Sequence, residues 1–139
     1  MQQKTVRIFV SGELVRAAER KTATKNRAPG RPNQHSTCLI LAMIAAKSFF
    51  NIGYRETWRV FAERGFTKLP DFRTIHWRAS ELKQRRIGMD IKVKNSRNEY
   101  FILVTSSDND AFVSKNRVGS KRWQKLMRSL KTDFVELAL

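Results

Sequence analysis

The segment HSTCLILAMIAAKSFFN, residues 35–51, most constrains what this chain can fold into. Its apolar residues surround the helix that they predict instead of forming one stripe, so every side of that helix must be covered by other parts of the chain. Ser36 is positioned to cap this helix, because its hydroxyl can accept a hydrogen bond from the first turn. The longest apolar run, residues 38–46, is well short of the roughly twenty residues of a membrane span. We therefore expect a central helix inside a globular core.

A second helix is predicted in GYRETWRVFAERG. Tyr54, Trp58, Phe61 and Ala62 recur at helical spacing, which places them on one buried face, and Gly65 ends the helix. A third helix is predicted in DFRTIHWRASELKQRR, with Asp71 as its cap. The residues expected on the buried stripe of this third helix are Phe72, Ile75, Ala79 and Leu82, with Trp77 facing outward.

Strand patterns precede and follow the helices. Residues 6–10 form a short strand pattern, residues 87–93 alternate at period two, and residues 101–104 read as a buried strand. The chain is therefore predicted to have an α+β fold, with three or four strands after the helices. The expected division is an N-terminal strand, helix and basic Gly-Arg-Pro arm in residues 1–34, a helix-turn-helix unit in residues 35–86, and a β region in residues 87–139.

The charge of the chain indicates its partner. There are 28 Lys and Arg residues against 12 Asp and Glu residues, which gives a formal net charge of +16 at pH 7. An excess of this size points to a polyanion, and double-stranded DNA is the partner that we expect. Cys38 is the only cysteine, which excludes an intrachain disulfide and a cysteine-based zinc site. The N-terminal residues do not resemble a signal peptide, so we expect a cytoplasmic, nucleoid-associated protein without a membrane partner.

Three helices of which the last carries outward basic and polar groups match the helix-turn-helix pattern. The third helix can lie in the major groove, where arginines reach guanine edges or phosphates. The alternative is that its polar residues are only the solvated face of an amphipathic helix. The arginine of the Gly-Arg-Pro arm can enter an A/T-rich minor groove. The residues predicted to contact DNA are Arg31, Arg55, Arg73, Thr74, His76, Arg78, Arg85, Arg86, Arg117, Lys121 and Arg122.

In this order, the motifs resemble the N-terminal half of bacterial and archaeal insertion-sequence DDE transposases of the IS5 type. The resemblance runs from about residue 6 to the C-terminus. Its most specific part is GRP followed by the YRET helix and the PDF-x-T sequence of the third helix. The later pieces are DIKVKNS, ILVTSSDNDAFVSKNRVGSKRW and DFVELAL.

The resemblance implies that an RNase H-like fold begins after the helix-turn-helix unit. The strand at residues 101–104 would then end at the first catalytic Asp of the family, but Thr105 stands there. A neutral threonine cannot replace a carboxylate that bridges two metal ions. Asp108 and Asp110 are weak substitutes because they are displaced along the chain. The second Asp and the Glu of the family would lie beyond residue 139. We therefore expect no catalytic residue and no cofactor, with Mg²⁺ only in an active transposase.

Four functions are compatible with these patterns. The favoured one is a sequence-specific DNA-binding protein derived from a transposase and lacking a complete DDE site. The second is a fragment of a DDE transposase whose C-terminal half is encoded separately. The third is a basic RNA-binding protein, and the fourth is a structural protein that coats nucleic acid without sequence preference. An open edge of the predicted sheet suggests a homodimer, or a sheet packed on the three-helix unit. A full-length transposase is the other protein partner that we expect.

Overall fold

Five helices and five strands follow one another in the part of the chain that the structure describes. The computed structural model describes the backbone of residues 5–22, 36–107, 112–129 and 132–138, and the side chains of residues 5–20, 36–107 and 112–128. In chain order the elements are β1 (Thr5–Ser11), α1 (Gly12–Thr22), α2 (Thr37–Phe50), α3 (Tyr54–Glu63), α4 (Phe72–Gln84), β2 (Gly88–Asn95), β3 (Glu99–Ser107), β4 (Val113–Arg117), α5 (Ser120–Ser129) and β5 (Thr132–Ala138). The predicted α+β class is confirmed.

Helix α2 is the centre of the molecule, as its sequence predicts. It packs against α1, α3 and α4 and also against β1, β3, β4 and β5. An unbroken run from Ile40 to Ala46 is buried, so no side of the helix middle faces solvent. Ser36 caps the helix as expected, because its hydroxyl accepts a hydrogen bond from the Leu39 N–H at 3.5 Å. Asn51, in the left-handed region at φ 56°, ends it.

The strands form one mixed sheet with the order β4-β2-β3-β1-β5. Strands β2 and β3 are an antiparallel hairpin, β1 is parallel to β3, β4 is parallel to β2, and β5 is antiparallel to β1. Four strands follow α4, as expected, and β1, from the N-terminal part of the chain, inserts between β3 and β5 as a fifth strand. Residues 1–34 and 87–139 therefore contribute strands to the same sheet.

The two faces of the sheet are covered differently. Alternate residues of β1 and β2, among them Val6, Ile8, Met89 and Ile91, are buried in the core on the side of α1 and α2. The opposite face carries Phe9, which is paired with Leu103, and Phe101, which is paired with Arg7. Helix α5 covers this second face through Trp123, which is only 5% exposed and lies 6.4 Å from the Phe9 ring and 5.9 Å from the Phe101 ring. The sheet is thus enclosed between two helical layers of unequal size.

Two local predictions were wrong. Trp58 is 37% exposed, and the buried residues of α3 are Thr57 and Phe61. The Thr57 hydroxyl donates to the Gly53 carbonyl at 2.8 Å, so a hydroxyl one residue before the tryptophan takes the inner position. The segment SKRWQKLMRSL predicts only a helical turn, whereas residues 120–129 form the ten-residue helix α5. Its amphipathic spacing around Trp123 was not recognised in a segment so rich in basic residues.

Candidate nucleic-acid interface

Helix α4 is held by one face and presents the other to solvent. Ile75, Ala79 and Leu82 are buried, and the helix packs on α1, α2 and α3. Asp71 occupies the N-cap position, although its side chain does not bond to the first turn. Arg73 and Trp77 lie on the side of the helix opposite the buried stripe, and Gln84 continues this side two turns further on. The outward face is therefore fixed in direction by the core beneath it.

Phe72 brings two guanidinium groups together where α3 meets α4. The Arg55 guanidinium lies 4.8 Å from the centre of the Phe72 ring, and the Arg73 guanidinium lies 5.7 Å from it. The Arg73 side chain is 83% exposed, and its Nε is 3.7 Å from the Asp71 carboxylate. An ion pair so exposed contributes little to stability. Arg55 and Arg73, two arginines of the predicted set, are thus positioned by an aromatic ring and remain available to an anion.

His76 is held by an aromatic stack on the flank of α4. Its ring lies 4.9 Å from the Tyr54 ring at an interplanar angle of 22°, and the Lys47 ammonium lies 4.6 Å from the centre of the same ring. Burial raises the pKa of the Tyr54 phenol, so the ring between these two basic groups stays neutral at physiological pH. Lys47 could not be predicted at this site from sequence patterns, since it belongs to the mostly buried helix α2.

The C-terminal half of α4 borders a shallow groove. Trp77, which is 58% exposed as predicted, lines a volume of about 450 Å³ together with Ser80, Glu81, Gln84 and Arg85. Gln84 was not among the predicted contacts, although a glutamine can pair with an adenine edge. The groove therefore combines an exposed indole with several hydrogen-bonding groups.

The remaining predicted residues of α4 and its C-terminus differ in exposure. Arg78 and Thr74 are half-buried, and the Nε of Arg78 is buried without a hydrogen-bond partner among the described residues. Arg85 and Arg86 are exposed, and Arg86 takes a left-handed conformation at φ 59° where the chain leaves the helix. Cations at the C-terminal end of a helix interact favourably with the helix dipole. Arg85 and Arg86 therefore have a structural role in addition to any contact with DNA.

A second group of basic residues lies away from α4. Arg117 is exposed at the end of the edge strand β4, and Lys121 and Arg122 are exposed on α5. The structure adds Lys125 and Arg128 to these, because they are exposed on the same helix. Neither residue is among the predicted contacts, since the sequence pattern did not indicate the full length of α5. The predicted contacts thus fall into an α3–α4 group and a β4–α5 group.

Thr105 lies on the second face of the sheet, opposite Asp90 of β2. The Lys92 ammonium is 3.5 Å from the Thr105 hydroxyl and 3.8 Å from the Asp90 carboxylate, and the Ser114 hydroxyl donates to the other Asp90 oxygen. The one described carboxylate beside Thr105 is therefore engaged by a lysine and a serine. Arg31, Asp108 and Asp110 lie outside the described residues. Within residues 5–20, 36–107 and 112–128, no three His, Cys, Asp or Glu side chains converge as a metal site would require.

Comparison with known proteins returns no relative. The chain matches no protein-family model, no curated protein and no solved structure. Among the described helices, none is by itself long and apolar enough to cross a membrane; α2 and α3 reach the required length only as a pair, which is bent by 110°.

Proposed function

We propose that this chain is a sequence-specific DNA-binding protein derived from a transposase, and that α4 is its recognition helix. The observation that carries the proposal is the construction of α4. One face is anchored by three buried residues, and the other presents Arg73, His76 and Trp77 to solvent on a chain with a net charge of +16. A helix held in this way can enter a major groove without unfolding or repacking.

The connections around α3 bear on the proposed helix-turn-helix unit. Three residues join α2 to α3, whose axes differ by 110°, a turn length and angle typical of the motif. The connection from α3 to α4 runs from Arg64 to Asp71 and is longer than the three or four residues of a tight turn. We therefore describe α2 to α4 as a three-helix DNA-binding unit in which the connection between α3 and α4 is extended. In this reading α3 crosses the DNA backbone, and Arg55 contacts a phosphate.

The side chains on the outward face of α4 suit direct readout. Arg73 can bond the N7 and O6 atoms of guanine, and Gln84 can bond the N6 and N7 atoms of adenine. His76 lies closer to the flank, where an imidazole N–H would donate to a phosphate. The Trp77 indole offers an apolar surface to a thymine methyl group or a deoxyribose. Discrimination at one or two base pairs is expected from Arg73 and Gln84, with the other groups setting orientation.

The proposal does not include DNA cleavage. If the resemblance to DDE transposases holds, the sheet is the beginning of an RNase H-like fold and Thr105 occupies the position of a metal-bridging Asp. The neighbouring Asp90 carboxylate is bonded to Lys92 and Ser114, and these contacts compete with a divalent cation. Binding of DNA by α4 needs no metal ion, so the proposed activity is independent of Mg²⁺.

Selection from a random duplex pool tests the proposal. Binding and amplification over several rounds at about physiological salt, where non-specific attraction is weakened, should enrich one motif. Enrichment that is equal with Mg²⁺ and with EDTA is the expected result. Salt-sensitive binding without enrichment would overturn sequence-specific readout and favour a coating protein. Preference for structured RNA over duplex DNA, measured in the same buffer, would favour the RNA-binding alternative.

A further inference from the structure

Helix α5 presents a basic stripe that α4 does not share. Lys121, Lys125 and Arg128 recur at helical spacing and are exposed on one side of the helix, with Arg122 beside them. The sequence SKRWQKLMRS contains no acidic residue. In the part of the chain that the structure describes, these four cations form no ion pair. The stripe spans about two turns, or roughly 10 Å, which is enough to follow the phosphates of one strand.

The stripe is held in place from beneath. Trp123 lies on the opposite side of α5 and is buried against the Phe9 and Phe101 rings. Those two rings stack at a centroid distance of 6.5 Å across neighbouring strands. The cations are therefore carried by a helix that is fixed to the sheet, which distinguishes them from a flexible basic tail.

The sheet separates α5 from α4. Helix α4 packs on α1, α2 and α3, and of these α1 and α2 cover the face of the sheet that carries Ile8 and Ile91. Helix α5 covers the face that carries Phe9 and Phe101. The sheet and the helices that cover it therefore lie between α4 and α5, and each of these layer spacings is about 10 Å. We therefore expect that a straight duplex in contact with the outward face of α4 does not also contact the stripe.

We propose that the α5 stripe binds the phosphate backbone of a second duplex segment, so that a single chain bridges two duplexes. This inference rests on the proposed function for the first duplex, which α4 reads. The occupant of the stripe is identified by charge complementarity, since four exposed cations that form no ion pair with any described side chain suit a polyanion. Binding there is expected to be independent of sequence, because lysine and arginine contacts to phosphate carry no base information.

The test is a capture assay. A biotinylated duplex that carries the selected site is immobilised, the protein is added at about 100 mM salt, and retention of a fluorescent duplex of unrelated sequence is measured. The triple variant Lys121→Gln, Lys125→Gln, Arg128→Gln should bind the immobilised duplex within about threefold of wild type. Its capture of the second duplex should fall at least about tenfold, since up to three phosphate contacts are lost.

A charge-matched control removes three exposed arginines elsewhere, through Arg16→Gln, Arg20→Gln and Arg97→Gln. This variant should capture the second duplex to within about threefold of wild type. Mass photometry of the complexes should show one protein chain with two duplexes. Far-UV circular dichroism checks that both variants keep the wild-type fold.

The outcomes separate the two proposals. If wild type binds the immobilised duplex but retains no second duplex, the bridging proposal fails and the proposed function stands. Equal capture by wild type and the α5 variant, or complexes that contain two chains with two duplexes, would also overturn bridging by α5. If no duplex sequence is selected in the first place, the proposed function fails and the bridging proposal falls with it.

Discussion

At the scale of single residues, the aromatic side chains of α3 and α4 have separate tasks. Phe61 is fully buried and lies 5.1 Å from the Phe66 ring, whereas Trp58 and Trp77 are partly exposed. Replacing Phe61 with Ala should lower the free energy of unfolding by about 3–5 kcal/mol because it leaves a cavity in the core. Trp77→Ala should change stability by no more than about 0.5 kcal/mol, as is usual for exposed positions. Urea unfolding followed by circular dichroism measures both.

Trp58→Ala should lie between these two values, at about 1 kcal/mol, because the indole is only partly removed from water. An unfolded Trp58→Ala variant would contradict this placement. It would mean that Trp58 belongs to the core after all.

Arg73 is the residue on which the proposed readout depends most. Arg73→Ala should weaken binding to the selected site by about 1–3 kcal/mol, and binding to unrelated duplexes much less, because a guanine contact is lost. Arg73→Lys should recover part of the loss on unrelated sequences but little on the site, since lysine cannot pair in the same planar, bidentate way. Fluorescence anisotropy with the two duplexes measures both affinities.

The matched control for Arg73 is Arg97→Ala, which removes an exposed arginine from the turn between β2 and β3. It should affect both duplexes equally and weakly. If Arg73→Ala lowered the affinity for the selected site and for unrelated DNA by the same factor, Arg73 would contact only a phosphate.

At the scale of elements, the β2–β3 hairpin depends on a glycine. A Cβ atom at Gly88 would lie 2.7 Å from the Ser107 carbonyl oxygen of the paired strand, whereas a Cβ atom at Gly53 would meet nothing within 4 Å. Gly88→Ser should therefore destabilise the protein by about 1–3 kcal/mol, because the backbones must separate. Thermal unfolding of the purified variant gives the comparison with wild type.

Gly53→Ser is the control, since it adds the same side chain at the N-cap of α3. It should be neutral or slightly stabilising, because serine is at least as good an N-cap as glycine. A loss of stability as large as that of Gly88→Ser would show that the close approach to Ser107 is not the cause.

The edge strand β4 carries exposed charged side chains. Lys115, Asn116 and Arg117 are exposed there, and the Lys115 ammonium lies 4.8 Å from the Phe49 ring of α2. Charged side chains on an edge oppose pairing with another sheet. Lys115→Thr with Arg117→Thr should therefore increase self-association, measured by sedimentation velocity over a range of concentrations. Unchanged sedimentation, with Arg16→Thr and Arg97→Thr as the control pair, would show that β4 is not a protected edge.

The type and position of most elements could be predicted from the sequence, because periodicity is a local property. The alternation of Met89, Ile91 and Val93 predicts β2 and its buried face, and both are observed. Pairing between strands is not local, so nothing near β1 predicts its place between β3 and β5. The same limit applies to the interface. The contact of His76 with Tyr54 and the approach of Lys92 to Asp90 and Thr105 depend on packing and on register.

At the scale of the whole molecule, the helices and the sheet form one folding unit. The predicted division at residues 34 and 86 follows the sequence patterns, but α2 contacts four strands that lie outside residues 35–86. A fragment of residues 36–86 would expose the apolar side of α2 that the sheet normally covers. We expect this fragment to show little cooperative unfolding and to bind a hydrophobic dye, whereas the full chain unfolds in a single transition.

Calorimetry and dye fluorescence on the fragment and on the full chain check this expectation. A fragment with a sharp transition and with specific binding to the selected DNA would instead establish residues 36–86 as an independent domain.

The position of β1 has a consequence for synthesis on the ribosome. Val10 pairs with Val104, a partner about 90 residues further along the chain, and such distant pairings form late. At translation rates of 5–20 residues per second, α2 is complete roughly 3–12 s before β3 emerges. During that interval an apolar helix has no sheet to cover it. The nascent chain is therefore expected to be a chaperone client, and the yield of native protein should depend on how fast the ribosome moves through residues 51–107.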